Sequence, residues 1–187
     1  MKPRVLVAGM GNDLRQDDGF GIAVVRRFEE DDVPEGVEVY ESGIAGIGLV
    51  QELMDGYEAL IIVDATDRGE EPGTVYLLEA EVPDPEELSE ESRREFLADT
   101  HLVVPSKALT LARALKVLPP QVYILGCQPK EQELGMGLSE PVEAGVNEAI
   151  RCLRQLTTRL ARELVPPRRR RKGAGVAEED DLSAPPV

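Results

Sequence analysis

Short apolar runs alternate with amphipathic stretches along most of the chain. Val5 to Gly9 is an apolar run closed by glycine, and from Gly19 to Phe28 apolar residues return at helical spacing, so the chain opens as strand, loop, helix. Val37 to Tyr40 predicts a second strand, leading through Ser42 to Gly48 into a helix whose apolar face includes Leu49, Val50 and Leu53. Leu60 to Val63 predicts a third. Its unbroken Leu-Ile-Ile-Val run lacks the polar alternation of a half-exposed strand and matches one covered by helices on both faces; Asp64 stands at its C-terminal end.

A Gly73-Thr74 turn precedes a fourth strand, Val75 to Leu78, and the acidic, Pro-containing stretch from Glu79 to Glu95 reads as a loop with a weakly patterned helix. Pro105 fits the first turn of a helix carrying Ala108, Leu109, Leu111, Ala112 and Leu115, and Pro119-Pro120 stop that helix before a fifth strand, Val122 to Leu125. The last helix runs from near Pro141 to about Leu164. This alternation predicts an α/β domain, residues 1–165, with a mainly parallel, doubly wound sheet of about five strands. Ligands of such sheets bind outside the carboxyl ends of the strands, which selects the loops after Val7, Tyr40, Val63 and Leu125. Residues 166–187 hold a basic run, Arg168 to Lys172, and an acidic one, Glu178 to Asp181, among Pro and Gly, the composition of a solvated, disordered tail.

The formal charge of the 187 residues is -15, and because the tail is nearly neutral the excess resides in the body. Nucleic acid and anionic membrane surfaces are therefore poor partners. No apolar run approaches a membrane span, and Lys2 and Arg4 lead directly into a short strand instead of a signal peptide, so a cytoplasmic location is expected. Cys127 and Cys152 fall in different elements without C-x-x-C spacing, which argues for reduced structural thiols.

The first loop, Gly9-Met10-Gly11-Asn12-Asp13-Leu14-Arg15-Gln16-Asp17-Asp18-Gly19-Phe20-Gly21, looks at first like a dinucleotide-binding fingerprint. Leu14 replaces the third glycine of that fingerprint, and Asp17 and Asp18 would repel a pyrophosphate. The two acids have a plain explanation as caps of the following helix. They also have a chemical one, because Asp64 emerges at the same sheet mouth if the first and third strands are neighbours, and converging carboxylates suit a cation. His101 is the one histidine of the chain, lying in Asp99-Thr100-His101. If its segment folds over the sheet mouth, Asp18, Asp64 and His101 supply two hard oxygens and a borderline nitrogen, a set for a divalent transition ion such as nickel or zinc.

The opening loop resembles that of the [NiFe] hydrogenase maturation endopeptidases, whose pattern after the first strand is G-x-G-N-x-L-x-x-D-[DE]-G-x-G. Gly9, Gly11, Asn12, Leu14, Asp17, Asp18, Gly19 and Gly21 conform. Ser42-Gly43-Ile44-Ala45-Gly46, Ile61-Ile62-Val63-Asp64-Ala65, Thr100-His101, Gly126-Cys127-Gln128-Pro129 and Gly137-Leu138-Ser139 follow in the family's order, so the resemblance spans about residues 4–160. It implies a three-layer α/β/α sandwich in which Asp18, Asp64 and His101 are both the catalytic and the metal-contacting residues. The metal is nickel, carried by the substrate, and no organic cofactor is implied. The substrate is the precursor of a hydrogenase large subunit, whose C-terminal extension is removed; Gly43, Ala45 and Gly46 in the glycine loop are assigned to substrate binding. Many members carry glutamate at the position of Asp18, and threonine is common at that of Ile44, a difference that bears on recognition of the precursor.

A metal with bound water can polarise a peptide carbonyl and supply the attacking group. No activated serine or cysteine is evident, since Ser42 and Ser106 lack a second histidine and Cys127 has no thiolate-stabilising neighbour in sequence. Two rivals use the same fold: a non-catalytic nickel-sensing adaptor for the large subunit, and a small-molecule hydrolase or phosphorylase. The acidic sheet mouth disfavours the latter where phosphate must bind. A monomer is expected.

Overall fold

The computed structural model describes residues 4–84 and 105–164. Its strands are β1 (Val5–Met10), β2 (Val37–Gly43), β3 (Ala59–Ala65), β4 (Val75–Glu79) and β5 (Gln121–Cys127); its α-helices are α1 (Phe20–Glu29), α2 (Gly46–Leu53), α3 (Pro105–Ala114) and α4 (Glu140–Leu164). A short 3-10 turn, Gln16–Gly19, leads into α1. The strands form one sheet in the order β2-β1-β3-β5-β4, parallel except for β4, which runs antiparallel along β5.

Residue alternation within the strands divides the core between the two faces. Val5 and Val7 of β1 and Ile61 and Val63 of β3 join Phe20, Val24, Val25 and Phe28 of α1 and Val142, Val146, Leu153 and Leu160 of α4. Leu6, Ala8 and Met10 with Leu60 and Ile62 point the other way, against Leu49, Val50 and Leu53 of α2 and Ala108, Leu109 and Ala112 of α3. Three layers result, as expected. Every residue of β1 and β3 is buried, which is why their sequences carry no polar alternation. Each fully buried Leu, Ile or Phe side chain contributes roughly 1.5–3 kcal/mol relative to exposure.

One boundary differs from the sequence expectation. Leu115 does not share the apolar face of α3 but is 49% exposed, because the helix ends before the two prolines. Lys116 adopts a left-handed φ of 59°, and the N–H groups of Val117 and Leu118 turn back to the Ala112 carbonyl at 2.9 and 3.2 Å, closing the last turn. Within the described residues no helix is long and apolar enough to cross a membrane.

Candidate active site

From β1 the chain passes through α1 to β2 on one side, then through α2 to β3 on the other side of β1. The strand order thus reverses between β1 and β3, and a crevice opens outside their carboxyl ends. Two of the three residues expected to do chemistry meet there. Asp18 sits on the 3-10 turn after β1, which packs on β3, and Asp64 is the penultimate residue of β3, 9% exposed.

Two glycines make this approach possible. Gly11 has φ 126°, and a Cβ on it would fall 1.8 Å from the Asp18 carbonyl oxygen, where the Asn12 N–H donates at 3.2 Å. A Cβ on Gly21 would lie 2.2 Å from the carbonyl oxygens of both Met10 and Val63, so α1 begins directly against the ends of β1 and β3. Close helix-to-strand packing, the task of the third glycine in a dinucleotide fingerprint, falls here to Gly21. Leu14, at the fingerprint position, is 60% exposed.

The two carboxylates disturb one another. Burial, and then the charge of Asp18, push the Asp64 carboxyl up to about 7, against the opposing N–H of Ala65. Burial also raises Asp18, offset in part by Arg15, by the Asn12 main chain and by the Gln132 amide, whose Nε2 donates to Oδ1 at 3.3 Å. Two acids held together away from water favour the arrival of a cation, which would stabilise both ionised forms at once. Among the described residues no group of three His, Cys, Asp or Glu side chains is placed to hold a metal ion. His101 lies outside the described residues, as do most of the Glu79 to Glu95 stretch and the 166–187 tail.

Asp17 departs from both readings the sequence allowed. It caps no helix, since neither the 3-10 turn nor α1 has a side-chain cap. Instead it is fully buried, and its carboxylate accepts from the N–H groups of Lys130, Glu131 and Ser139 at 2.8, 2.8 and 2.6 Å and from Ser139 Oγ at 2.8 Å. Burial alone would raise its pKa, but these hydrogen bonds outweigh it and hold the carboxyl below the usual range. The loop after β5 is thereby fixed against the first loop. Gln128, in the Gly126-Cys127-Gln128-Pro129 motif, performs a matching task on the other side. Its Oε1 accepts from the N–H groups of Arg68 and Glu70 at 2.7 and 3.2 Å, and its Nε2 donates to Asp67 Oδ1 at 2.9 Å, which ties down the loop that follows Asp64.

The glycine loop borders the same mouth. Gly43, with φ 58°, accepts from the Gly11 N–H at 3.1 Å; Ala45 precedes α2 and is exposed, and Gly46 begins α2 and is buried. Between this loop and the first runs a groove of about 310 Å³, lined in part by Asn12, Ile22, Ser42, Gly43 and Ile44. At its side Arg26 forms a two-pronged pair with Glu41, both contacts 2.9 Å, and a third with Asp13 at 2.7 Å. Neither Ser42 nor Cys127 is set up as a nucleophile. The Ser42 hydroxyl donates to the Ala45 carbonyl at 3.3 Å, and burial pushes the Cys127 thiol up to about 12.

Comparison with known proteins gives the family and the fold. The family model HycI, described as hydrogenase maturation protease, matches residues 22–155. A protein of Methanocaldococcus jannaschii, provisionally named a hydrogenase maturation protease, is 33% identical over 161 residues, covering 81% of this chain and 95% of its own. The hydrogenase expression/formation protein HupD of Rhizobium leguminosarum bv. viciae is 32% identical over 88% of this chain and 83% of its own. Among solved structures, the hydrogenase maturating endopeptidase HybD from E. coli superposes with a TM-score of 0.65 at 27% identity, covering 86% of this chain and 93% of that one.

Proposed function

Because the chain belongs to the hydrogenase maturation protease family, a family of endopeptidases, we propose that it removes the C-terminal extension from the large-subunit precursor of a [NiFe] hydrogenase once nickel has been inserted. Membership in that family decides for the protease over the adaptor. The observation that carries the nickel-dependent reading is the pair Asp18 and Asp64, two carboxylates converging at the switch point of the sheet with their pKa values raised by burial, and in Asp64 also by its neighbour.

In this reading nickel arrives with the substrate and polarises the scissile carbonyl or a bound water. Asp18 and His101 hold it. Asp64 holds it as well or takes a proton from the attacking water; burial and the Asp18 charge make its carboxylate a stronger base than an ordinary one before the metal arrives. The loop carrying Gly43, Ala45 and Gly46 lies along the groove beside the first loop and offers main-chain groups to an extended precursor tail. The fixed loops after β3 and β5 keep the crevice in one shape while a substrate enters.

The test is to incubate the purified protein with a cognate large-subunit precursor, nickel-loaded and nickel-free, and to follow the precursor's mass. Loss of a short C-terminal peptide is expected only in the loaded sample. The same measurement with Asp18→Asn, Asp64→Asn and His101→Ala should give intact precursor. Processing that persists in the Asp64 variant, or that proceeds equally without nickel, would overturn the mechanism.

A further inference from the structure

We propose that Gln132 is a positioning residue for the cleavage reaction, fixing the direction in which Asp18 presents its carboxylate to the substrate's metal. This rests on the role of Asp18 proposed above. The Gln132 amide donates to Asp18 Oδ1 at 3.3 Å, across 114 residues of chain. What makes the contact useful is the immobility of its base. Arg15 directs Nε and Nη2 onto the Gln132 main-chain carbonyl at 3.2 and 2.9 Å. Just before Gln132, the Lys130 and Glu131 N–H groups are held by the buried Asp17 carboxylate, and the Asp17 N–H returns to the Glu131 carbonyl at 3.0 Å. Just after it, Gly135 exchanges two main-chain hydrogen bonds with the first loop, to Leu14 and from Gln16, each 3.0 Å.

The first loop and the loop after β5 are therefore one unit, within which the Gln132 side chain meets that of Asp18. The chemistry of the amide fits the task. A neutral donor orients one carboxylate oxygen without adding a positive charge that would compete with a metal for the pair, and it leaves the other oxygen unclaimed by that contact. The nearby cation, Arg15, is meanwhile engaged by the main chain of the loop. Outer partners of this kind typically contribute 10- to 100-fold to the affinity or activity of the site they orient.

The deciding experiment measures initial rates of cleavage over a range of nickel-loaded precursor concentrations for Gln132→Met, Gln132→Glu and Asp18→Asn, with thermal melts of each. Gln132→Met keeps the length and loses the donor; Gln132→Glu sets an acceptor against Asp18. We expect kcat to fall about 10- to 100-fold in the Met variant and further in the Glu variant, with KM for the precursor changed by less than about twofold and melting temperatures unaltered. Wild-type kcat in both Gln132 variants, with Asp18→Asn inactive, would overturn the positioning role alone. A raised KM at unchanged kcat would overturn it in favour of precursor binding, and a kcat loss that only tracks lowered melting temperature in favour of simple stability. Full activity in Asp18→Asn would instead remove the reading of Asp18 on which the proposal stands.

Discussion

Asp64 and Asp17 are both removed from water, yet the crevice shifts them in opposite directions because only one of them has enough donors. Asp64 has burial and the Asp18 charge against a single N–H, and its pKa rises from 3.8 to about 7. A native pKa raised above the unfolded value means that the folded form binds the proton more tightly between the two values. Stability from this residue is therefore complete below about pH 4 and lost as pH rises through 7. Asp64→Asn should remove that loss. The variant is expected to be more stable than wild type at pH 8, by up to about 4 kcal/mol at 1.36 kcal/mol per unit, and equal to it near pH 3.5, while processing is abolished; urea unfolding at the two pH values checks it. For Asp17 the sign reverses. Its lowered native pKa gives stability that is present above the ordinary carboxylate value and lost as pH falls through the native one. Asp17→Ala strands three main-chain N–H groups, so at pH 7 it should cost at least about 3 kcal/mol in urea unfolding, with protease nicking appearing first in the 130–139 segment.

Among the elements, α1 and the turn before it carry the tightest constraint. Gly21→Ala would set a methyl against two carbonyl oxygens that belong to the sheet and cannot withdraw, so α1 must lift from the ends of β1 and β3. A loss of about 2 kcal/mol or more is expected by thermal or urea unfolding, together with loss of processing out of proportion to it, because Asp18 moves with the helix start. How much of this was legible in the sequence follows from what kind of group does the work. The strand ending in Asp64 announced itself through an unbroken apolar run, and Asp18 through its place in a glycine-punctuated loop. The resemblance separated Asp18 from Asp17, but the buried role of Asp17 was not legible, since three of its four donors are main-chain amides 113 to 122 residues away that leave no mark on residue type, and only the Ser139 hydroxyl is a side chain. Gln132 was silent for the same reason, its importance lying in where a distant loop is pinned. The antiparallel course of β4 had a signal that could have been used. Only nine residues, 66–74, join β3 to β4, too few for the helical crossover that a parallel strand requires. The end of α3 was misjudged because a left-handed Lys116 closed it before the prolines could.

At the level of the whole molecule, the -15 charge sets how a substrate approaches. Where the precursor's tail carries basic residues, attraction should speed encounter, so kcat/KM is expected to fall several-fold between about 0.05 and 0.3 M salt while kcat holds; a salt-independent kcat/KM would discount steering. The exposed apolar residues Leu14, Leu134 and Met136 sit on the two joined loops and are not part of either core cluster. The joining of those loops also governs when the enzyme comes into being. During synthesis both carboxylates have been made once the ribosome passes residue 64, but Gln132, which contacts Asp18, is translated more than 60 residues later. Contacts of such long sequence separation form late in folding, after local helices and turns. A nascent chain of that length thus holds Asp18 and Asp64 without the contact that orients Asp18.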